Sequence, residues 1–465
     1  MSIKFGTDGW RAVIADGFTF DNLKKISKAT AIAFESHPKI SNGIILGYDT
    51  RFLSREFAEC SATVFANHGI RVQLTDTFVT TPTVSLLTRM NNSSYGVMIT
   101  SSHNPPKYNG YKLKDEFGGS MGVNFLSEIE KVLEQTSAFD YGNKSFEELL
   151  ATNQIQYIKG KELYITTISE KIDIEAIRNS GIRIIYDAMY GSGQGIIESL
   201  LDIKSLRSEI NPSFGGTSPE PVRKNLSLIT SEMNSGNYDI GIVTDGDADR
   251  IAILDENGNF VDAQKTFALL LLYLLEDKKL QGGVVRGFSS SELIRKICDR
   301  YSMKLYTVPI GFKYISELMV KEDILIGAEE SGGIGMKIHL PERDGIFNGL
   351  MFAEMIAIKK KKLSQLISEM ESEYGRYYYN RIDQHLTSNE QKYSLIQQSA
   401  DIAELAGFKV IDKDMLDGCK LIFPNGWLLV RASGTEPLLR MYCETFGEDL
   451  TSVYLSALKS KFNLQ

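Results

Sequence analysis

The sequence predicts an α/β protein made of several units in series, followed by a smaller α+β unit. Short β-rich apolar runs alternate with helical stretches along most of the chain, which is typical of βαβ units. The chain has 465 residues. This is more than one hydrophobic core usually supports, so about two to four domains are expected.

The predicted elements follow in chain order. The first group is a strand over 43–48, a helix over 54–67, a strand over 72–74, a helix from Pro82 and a strand over 96–100. Strands separated by helical stretches recur at 182–186, 239–244, 283–286, 304–308 and 324–327. Together these patterns indicate three α/β units. Near the end, one or two helices accompany strands predicted at 377–382, 420–423, 427–431 and 439–444.

Polar stretches mark the expected boundaries between these units. They lie near 140–156, 255–259 and 369–376. Because the boundaries of elements are the least reliable part of a sequence-based prediction, each boundary holds to within about ten residues. The predicted domains are 1–150, 151–256, 257–371 and 372–465.

Composition restricts the partners and the compartment. Lys and Arg total 51 against 59 Asp and Glu, a net charge of −8, so general attraction to nucleic acid or to anionic membranes is not expected. Four widely spaced cysteines indicate a reducing compartment. The start of the chain lacks a signal-peptide pattern, and the densest apolar run, 267–275, is too short for a membrane span. A cytoplasmic protein is therefore expected.

One candidate catalytic group is a serine on a turn. A buried strand over 96–100 leads into Ser101, Ser102 and His103, and a turn with two prolines closes the segment. A serine hydroxyl is a weak nucleophile, so it needs a base, a metal ion or nearby positive charge. Lys112, shortly downstream, could return toward the same tip as a proton carrier or a phosphate partner. Alternatively, a Ser-His pair is a helix cap or a plain turn.

An acidic loop further along the chain suggests a metal site. Asp245, Asp247 and Asp249 alternate in a loop between two predicted strands, so their oxygens can converge on one hard cation, with Mg²⁺ favoured when a phosphate supplies further ligands. A calcium-binding EF-hand needs glycine where Arg250 stands, and helices on both sides. Dehalogenase-type phosphatases require Thr or Val where Asp249 stands. A solvated acidic turn is the remaining alternative.

Two more loops have the composition of sugar-phosphate sites. Arg431, Ser433, Gly434, Thr435 and Arg440 could surround a phosphate dianion, or simply form a capped hairpin turn. The segment lacks the spacing of a nucleotide P-loop. In the other loop, Glu329 and Ser331 could bind neighbouring sugar hydroxyls, or belong to a glycine-rich turn.

Taken in order, these four loops resemble those of the α-D-phosphohexomutase family, and residues 5–11, FGTDGWR, are similar to its opening motif. The resemblance implies four domains around a central cleft, the first three sharing one α/β topology and the last closing over the substrate. It implies that Ser102 carries the phosphoryl group and, with the three aspartates, helps to hold one Mg²⁺. Arg11, His103, Lys112 and Arg250 would surround the reacting phosphate, with Lys112 as the general acid/base. Glu329 and Ser331 would hold sugar hydroxyls, and Arg431, Ser433, Gly434 and Thr435 the other phosphate.

The implied reaction interconverts hexose 1-phosphate and hexose 6-phosphate through a phosphoserine and a hexose 1,6-bisphosphate, which serves as intermediate and activator. Two residues resemble those of glucose-specific members of the family. They are Glu330 in the sugar loop and Phe312, at a position where some dual-specificity members carry histidine. The alternatives are a phosphomannomutase or a dual-specificity enzyme and, more remotely, a metal-dependent sugar phosphatase or a non-catalytic sensor. Lys313 is expected near the substrate. The sequence does not indicate an oligomeric state.

Overall fold

The computed structural model describes residues 3–6, 8–136, 138–433 and 438–464. Within these ranges, four large sheets and one two-stranded ribbon follow one another along the chain. We call each large sheet with its helices a unit, numbered I to IV in chain order. The predicted fold class, three α/β units and a terminal α+β unit, is confirmed.

In the described residues, unit I has a six-stranded sheet in the order β1-β5-β4-β2-β3-β6. Its strands are β1 Trp10–Val13, β2 Ile44–Tyr48, β3 Val72–Thr75, β4 Gly96–Ile99, β5 Tyr108–Lys114 and β6 Ile155–Ile158. Its helices are α1 Phe20–Ala33, α2 Ser54–Asn67, α3 Thr81–Met90, α4 Val123–Gln135 and α5 Phe146–Ala151. Strands β2, β3, β4 and β6 are parallel, and β5 is antiparallel to both β4 and β1.

Unit II has the strand order β11-β10-β9-β7-β8, and unit III the order β13-β12-β14-β15. The elements of unit II are α6 Gly160–Ser169, α7 Ile174–Ser180, β7 Ile184–Asp187, α8 Ile197–Leu200, β8 Lys204–Leu206, α9 Ser227–Ser235, β9 Ile240–Thr244, β10 Ile251–Leu254 and β11 Phe260–Val261. Those of unit III are α10 Ala263–Glu276, β12 Gly283–Gly287, α11 Glu292–Arg300, β13 Leu305–Val308, α12 Phe312–Lys321, β14 Ile324–Ala328, β15 Ile334–Met336, α13 Gly345–Lys359 and α14 Leu363–Tyr374.

Units I to III share one topology. In each, three parallel strands are joined by helical crossovers, and the third strand turns back into an antiparallel fourth. The turn after the third strand carries Ser102 in unit I, the three aspartates in unit II and Glu329 in unit III. Three of the predicted site motifs therefore occupy equivalent positions in three similar sheets.

Unit IV is built differently. In the described chain its sheet is wholly antiparallel, in the order β16-β22-β21-β20-β19. Its elements are β16 Tyr378–His385, α15 Asn389–Ala400, the ribbon β17 Glu404–Leu405 and β18 Phe408–Lys409, β19 Asp412–Asp414, β20 Cys419–Phe423, β21 Gly426–Ala432, β22 Leu438–Thr445 and α16 Leu450–Lys461. The fourth predicted motif begins at the end of β21, and its residues 434–437 lie outside the described part of the chain.

Apolar helices in the middle of the chain form its main core. Helix α13 is mostly apolar and buried along nearly its whole length, and it contacts β9, β10 and α7 of unit II. Helix α10, which contains the densest apolar run, is buried along nearly its whole length. Among the described residues, the structure contains no helix with the length and apolar character needed to cross a bilayer.

The predicted limits of the domains differ from the described elements in three places. Strand β6 pairs in parallel with β3, although the first domain was predicted to end at residue 150. Strand β11, at 260–261, pairs with β10 beyond the predicted limit at 256, and α14 continues to Tyr374, beyond the predicted limit at 371. We propose that unit I extends through Ile158, unit II through Val261 and unit III through Tyr374.

Candidate active site

Ser102 lies at the tip of the turn between β4 and β5, and its side chain is fully buried. Its backbone has a left-handed φ of +52°. The hydroxyl donates a hydrogen bond to Asp245 Oδ2 at 2.7 Å, and its oxygen lies 3.3 Å from His103 Nδ1. The backbone N–H donates to Thr100 Oγ1 at 2.9 Å. The predicted serine therefore meets the predicted acidic loop directly.

The acidic loop joins β9 to β10 and carries three fully buried carboxylates. One oxygen each from Asp245, Asp247 and Asp249 lies within 4.8 Å of the others. Burial and the two neighbouring carboxylates raise the pKa of Asp245 well above its ordinary value. Gly246 lets the loop approach Ser102, because a Cβ there would lie 2.4 Å from the Ser102 carbonyl oxygen.

This set of donors fits a divalent cation. The Oδ1 atoms of Asp247 and Asp249 are buried and have no hydrogen-bond partner. Three neighbouring carboxylates, two of them with an unpartnered oxygen, suit a hard cation such as Mg²⁺, which would also relieve their mutual repulsion. The three aspartates could therefore hold the metal that the sequence predicted.

Lys112 returns to this site on strand β5, as its spacing suggested. Its Nζ lies 2.7 Å from Asp247 Oδ2, 2.9 Å from Asp249 Oδ2 and 2.8 Å from Asp8 Oδ2. Burial favours the neutral amine, but these three carboxylates outweigh it and raise the pKa of Lys112. The ammonium is therefore held charged among the acidic groups.

Arg11, His103 and Arg250 surround the same centre. Arg11 donates to Asn104 Oδ1 at 2.7 Å, and the Arg250 backbone N–H donates to Asp245 Oδ1 at 3.1 Å. Burial, together with the charges of Arg250 and Arg11, holds the pKa of His103 well below its ordinary value. The imidazole is therefore neutral near pH 7.

The glycine-rich loop of unit III brings Glu329 to the edge of this cluster. Burial, and to a lesser degree the charge of Glu330, raise the pKa of Glu329 to about 7, although Arg343 opposes the shift. Glu329 Oε2 lies 3.8 Å from Arg343 Nη1. Ser331, in the same loop, is half-buried.

Arg343 links the three units and was not singled out by the sequence. Its Nη2 lies 3.0 Å from Asp8 Oδ2 and 2.9 Å from Asp249 Oδ2, and its Nε lies 3.1 Å from Glu342 Oε1. The guanidinium also lies 5.3 Å from the ring centre of Phe312. Asp8 stands within the opening motif, which gave a signal for it, whereas no local pattern marked Arg343.

The predicted phosphate loop is only partly described. Arg431 Nε donates to Asp417 Oδ2 at 2.8 Å, and the same oxygen accepts from the backbone N–H of Ile310 in unit III at 2.8 Å. Ser433 is buried, and its carbonyl accepts from Lys392 Nζ at 2.6 Å. Gly434 and Thr435 lie outside the described residues.

Two other predicted residues have no described contact with the Ser102 cluster. Arg440 pairs with Arg431 across the β21–β22 ladder, and its Nε lies 3.9 Å from Asp383. The Lys313 ammonium lies 5.2 Å from the Tyr314 ring centre, and its described contacts do not join the cluster. It is Phe312 that reaches the site, through Arg343.

Comparison with known proteins agrees with this arrangement. The chain matches four domain families of phosphoglucomutase/phosphomannomutase: alpha/beta/alpha domain I over residues 2–139, domain II over 162–258, domain III over 262–374 and the C-terminal domain over 388–454. It is therefore similar to these proteins along most of its length, unit by unit.

Individual relatives match over nearly the whole chain. A phosphoglucomutase/phosphomannomutase of Thermococcus kodakarensis is 30% identical, covering 98% of this chain and 97% of the relative. A phosphoglucosamine mutase of Campylobacter curvus is 27% identical, covering 98% of each. The crystal structure of a putative phosphomannomutase from Thermus thermophilus has a TM-score of 0.87 at 30% identity, covering 100% of this chain and 99% of that one.

The chain thus belongs to the phosphoglucomutase/phosphomannomutase family, the α-D-phosphohexomutases. It is an enzyme of the intramolecular phosphotransferase class, in a family that depends on Mg²⁺. The names of the relatives include glucose, mannose and glucosamine enzymes, so the family leaves the hexose open.

Proposed function

We propose that this protein is a phosphoglucomutase that interconverts glucose 1-phosphate and glucose 6-phosphate through a phosphorylated Ser102. The observation that carries the proposal is the hydrogen bond from Ser102 Oγ to Asp245, within a buried cluster of three carboxylates. A hydroxyl in this position has both a charged acceptor and a cation site beside it. That combination suits phosphoryl transfer and has no evident use in a purely structural turn.

Each neighbouring residue then has a role in the transfer. Asp245, Asp247 and Asp249 would hold Mg²⁺, which supplies Lewis-acid stabilisation of the phosphate charge. Arg11 and Arg250 add positive charge around the reacting group, and neutral His103 adds a hydrogen bond. We assign Lys112 as the proton carrier between the sugar hydroxyl and Ser102 Oγ.

One cycle needs two transfers at the same serine. Phospho-Ser102 gives its phosphoryl group to the free hydroxyl of the sugar phosphate, which forms the bisphosphate, and the P–O bond to Ser102 breaks. The bisphosphate then reorients in the site, and its other phosphoryl group is transferred to Ser102. Glu329 and Ser331 would bind sugar hydroxyls in both poses, while the Arg431 loop with Arg440 would anchor the phosphate that is not reacting.

The preference for glucose rests on two side chains. Glu330 adds a second carboxylate to the sugar loop, and Phe312 is buried against Arg343, where a histidine would present a polar ring. Use of the bisphosphate has support from a fold neighbour. An Aspergillus fumigatus N-acetylphosphoglucosamine mutase, with a TM-score of 0.57 at 14% identity, has been solved with glucose 1,6-bisphosphate. A cytoplasmic setting is supported by four free cysteines.

Coupled turnover tests the proposal. Glucose 1-phosphate and mannose 1-phosphate are supplied separately, each with Mg²⁺ and a trace of the matching bisphosphate, and the 6-phosphates are measured. We expect faster conversion of glucose, and Ser102→Ala should lower kcat by at least about 10⁴-fold. Ser101→Ala is the matched control, because that neighbouring hydroxyl is also buried but has no hydrogen-bond partner.

Other products would indicate the alternatives. Faster conversion of mannose 1-phosphate would make the protein a phosphomannomutase. Inorganic phosphate as the main product would indicate a phosphatase. Binding of sugar phosphates without any turnover would indicate a sensor.

A further inference from the structure

A buried arginine that has no part in the proposed chemistry holds the Ser102 turn together. Arg51 follows strand β2, and only 3% of the residue is exposed. Its guanidinium donates to four backbone carbonyls of one turn. The acceptors are Ser102 at 2.6 Å, Asn104 at 2.7 Å, Pro105 at 3.0 Å and Tyr108 at 3.0 Å.

Asp49 fixes this arginine from the other side. Its Oδ2 lies 3.3 Å from Arg51 Nε and accepts from Thr100 Oγ1 at 2.6 Å. Its Oδ1 accepts from Ser54 Oγ at 2.7 Å and from the Arg51 backbone N–H at 2.9 Å. Thr100 in turn accepts from the Ser102 N–H. The Asp49 carboxylate and the Arg51 guanidinium therefore bind both ends of the turn.

The turn needs such support because its central residue is strained. A left-handed conformation is strained for a residue other than glycine, and Ser102 adopts it with φ at +52°. Its carbonyl is the closest acceptor of Arg51. The ring centre of Phe214, in unit II, lies 4.9 Å from the Arg51 guanidinium and covers it. The contacts around Arg51 are therefore complete only where units I and II meet.

We infer that Arg51 is a positioning residue that keeps Ser102 Oγ directed at the aspartates of unit II. The inference rests on the proposed function. Arg51 acts through the backbone of the turn, and its contacts in the structure do not include the Ser102 hydroxyl. A lysine carries the same charge, but its single ammonium cannot reach four carbonyls spread along seven residues of chain.

Arg51→Lys is the test, with kcat and KM for the sugar phosphate measured separately. Misplacing a reacting group by about 1 Å costs about 100-fold, so we expect kcat to fall by about that factor while KM changes less than about threefold. Intact mass should show that glucose 1,6-bisphosphate phosphorylates the variant correspondingly more slowly. Arg55→Ala is the control, since Arg55 is an exposed arginine on α2 that pairs with Glu59.

A second variant, Arg51→Ala, separates a misplaced serine from a protein that fails to fold. Guanidinium ion, at a concentration that leaves the parent protein unaffected, should restore part of the kcat of this variant. If folded Arg51→Lys keeps the kcat of the parent protein, or changes only in KM, the inference about Arg51 is overturned and the proposed function is not. A parent protein that turns over no hexose phosphate overturns the proposed function and this inference with it.

Discussion

Units I to III and unit IV are held in place by different means. The first three units meet through buried charges that cross every boundary. Lys112 of unit I contacts two aspartates of unit II, and Arg343 of unit III contacts Asp8 of unit I. Lys114 and Glu342 form a further buried pair between units I and III at 2.5 Å. A single apolar core also runs through units II and III.

Unit IV has an apolar core of its own, made of residues between 395 and 462, as unit I also does, but it lacks such an interlocking set of charges in the described contacts. It meets unit III through a small apolar cluster that contains Phe288 and Ile310 of unit III and Trp427 of unit IV. A few polar contacts surround this cluster. Asp417 accepts from Ile310, and Glu444 accepts from the Glu292 backbone N–H at the start of α11 and from Trp427 Nε1.

This difference matches what the proposed cycle requires. The serine, the aspartates and Lys112 must keep their geometry through two transfers, and interlocked charges from three units can hold it. The residues that bind the phosphate that is not reacting must accept the sugar in both of its orientations. A separately folded unit that touches its neighbour over a small surface can adjust with the least loss of packing.

The largest effect should come from breaking a buried pair between units I and III. Lys114→Met leaves Glu342 buried with Ser120 and Arg343 as its remaining partners, so we expect the first unfolding transition to lose about 3 kcal/mol. Urea unfolding followed by circular dichroism measures this. Lys321→Met, which removes an exposed pair with Glu317, should cost under about 1 kcal/mol. Equal losses would show that the buried pair does not hold the units together.

The sequence predicted most of the parallel strands of units I to III, four strands of unit IV and three of the four loops, because their signals are local. It did not predict β1, β5, β6, β8, β11, β15 and β17 to β19. Apolar runs such as 240–244 end at polar turns, and a turn between a buried strand and its partner displays its side chains at one edge of a sheet. Strand β6 was missed because its burial does not alternate: Gln156 and Tyr157 are both exposed.

Arg343 and Arg51, which hold the site in place, could not be predicted in the same way. Arg343 meets Asp8, and Arg51 meets the Ser102 turn, only after the sheets have formed and packed, since each pair is far apart in the chain. The position of Lys313 near the substrate stays a prediction. In a helix, successive residues point about 100° apart, so Lys313 does not share the direction in which Phe312 faces Arg343.

A smaller effect is expected at the contact between units III and IV. Asp417→Asn weakens a charge-assisted hydrogen bond to Arg431 and should leave that guanidinium less well placed for the distant phosphate. We expect KM for glucose 1-phosphate to rise about tenfold, with kcat within about threefold of the parent. Exposed Asp412→Asn is the control. A fall in kcat at unchanged KM would mean that Asp417 acts on the reacting end instead.

The smallest effect concerns a lysine buried in the same contact. Lys420 Nζ donates to the Phe288 carbonyl at 3.1 Å and lies 4.0 Å from the Trp427 ring centre. Burial, followed by the charge of Arg286, lowers the pKa of Lys420 from 10.5 to about 8. Between these two values the unfolded chain keeps a proton that the folded protein has lost, so stability should rise with pH through this range.

The full cost of burying the ammonium therefore applies below pH 8 and is relieved as the pH rises toward 10.5. The Trp427 ring favours the charged form, so the rise between pH 7.5 and 9.5 should be only about 1 kcal/mol. Urea unfolding at the two pH values measures it. Lys420→Met should remove the increment, whereas exposed Lys409→Met should keep it. If the Lys420→Met protein shows the same rise, the pH dependence originates elsewhere, and the contact between units III and IV is not sensitive to the charge of this lysine.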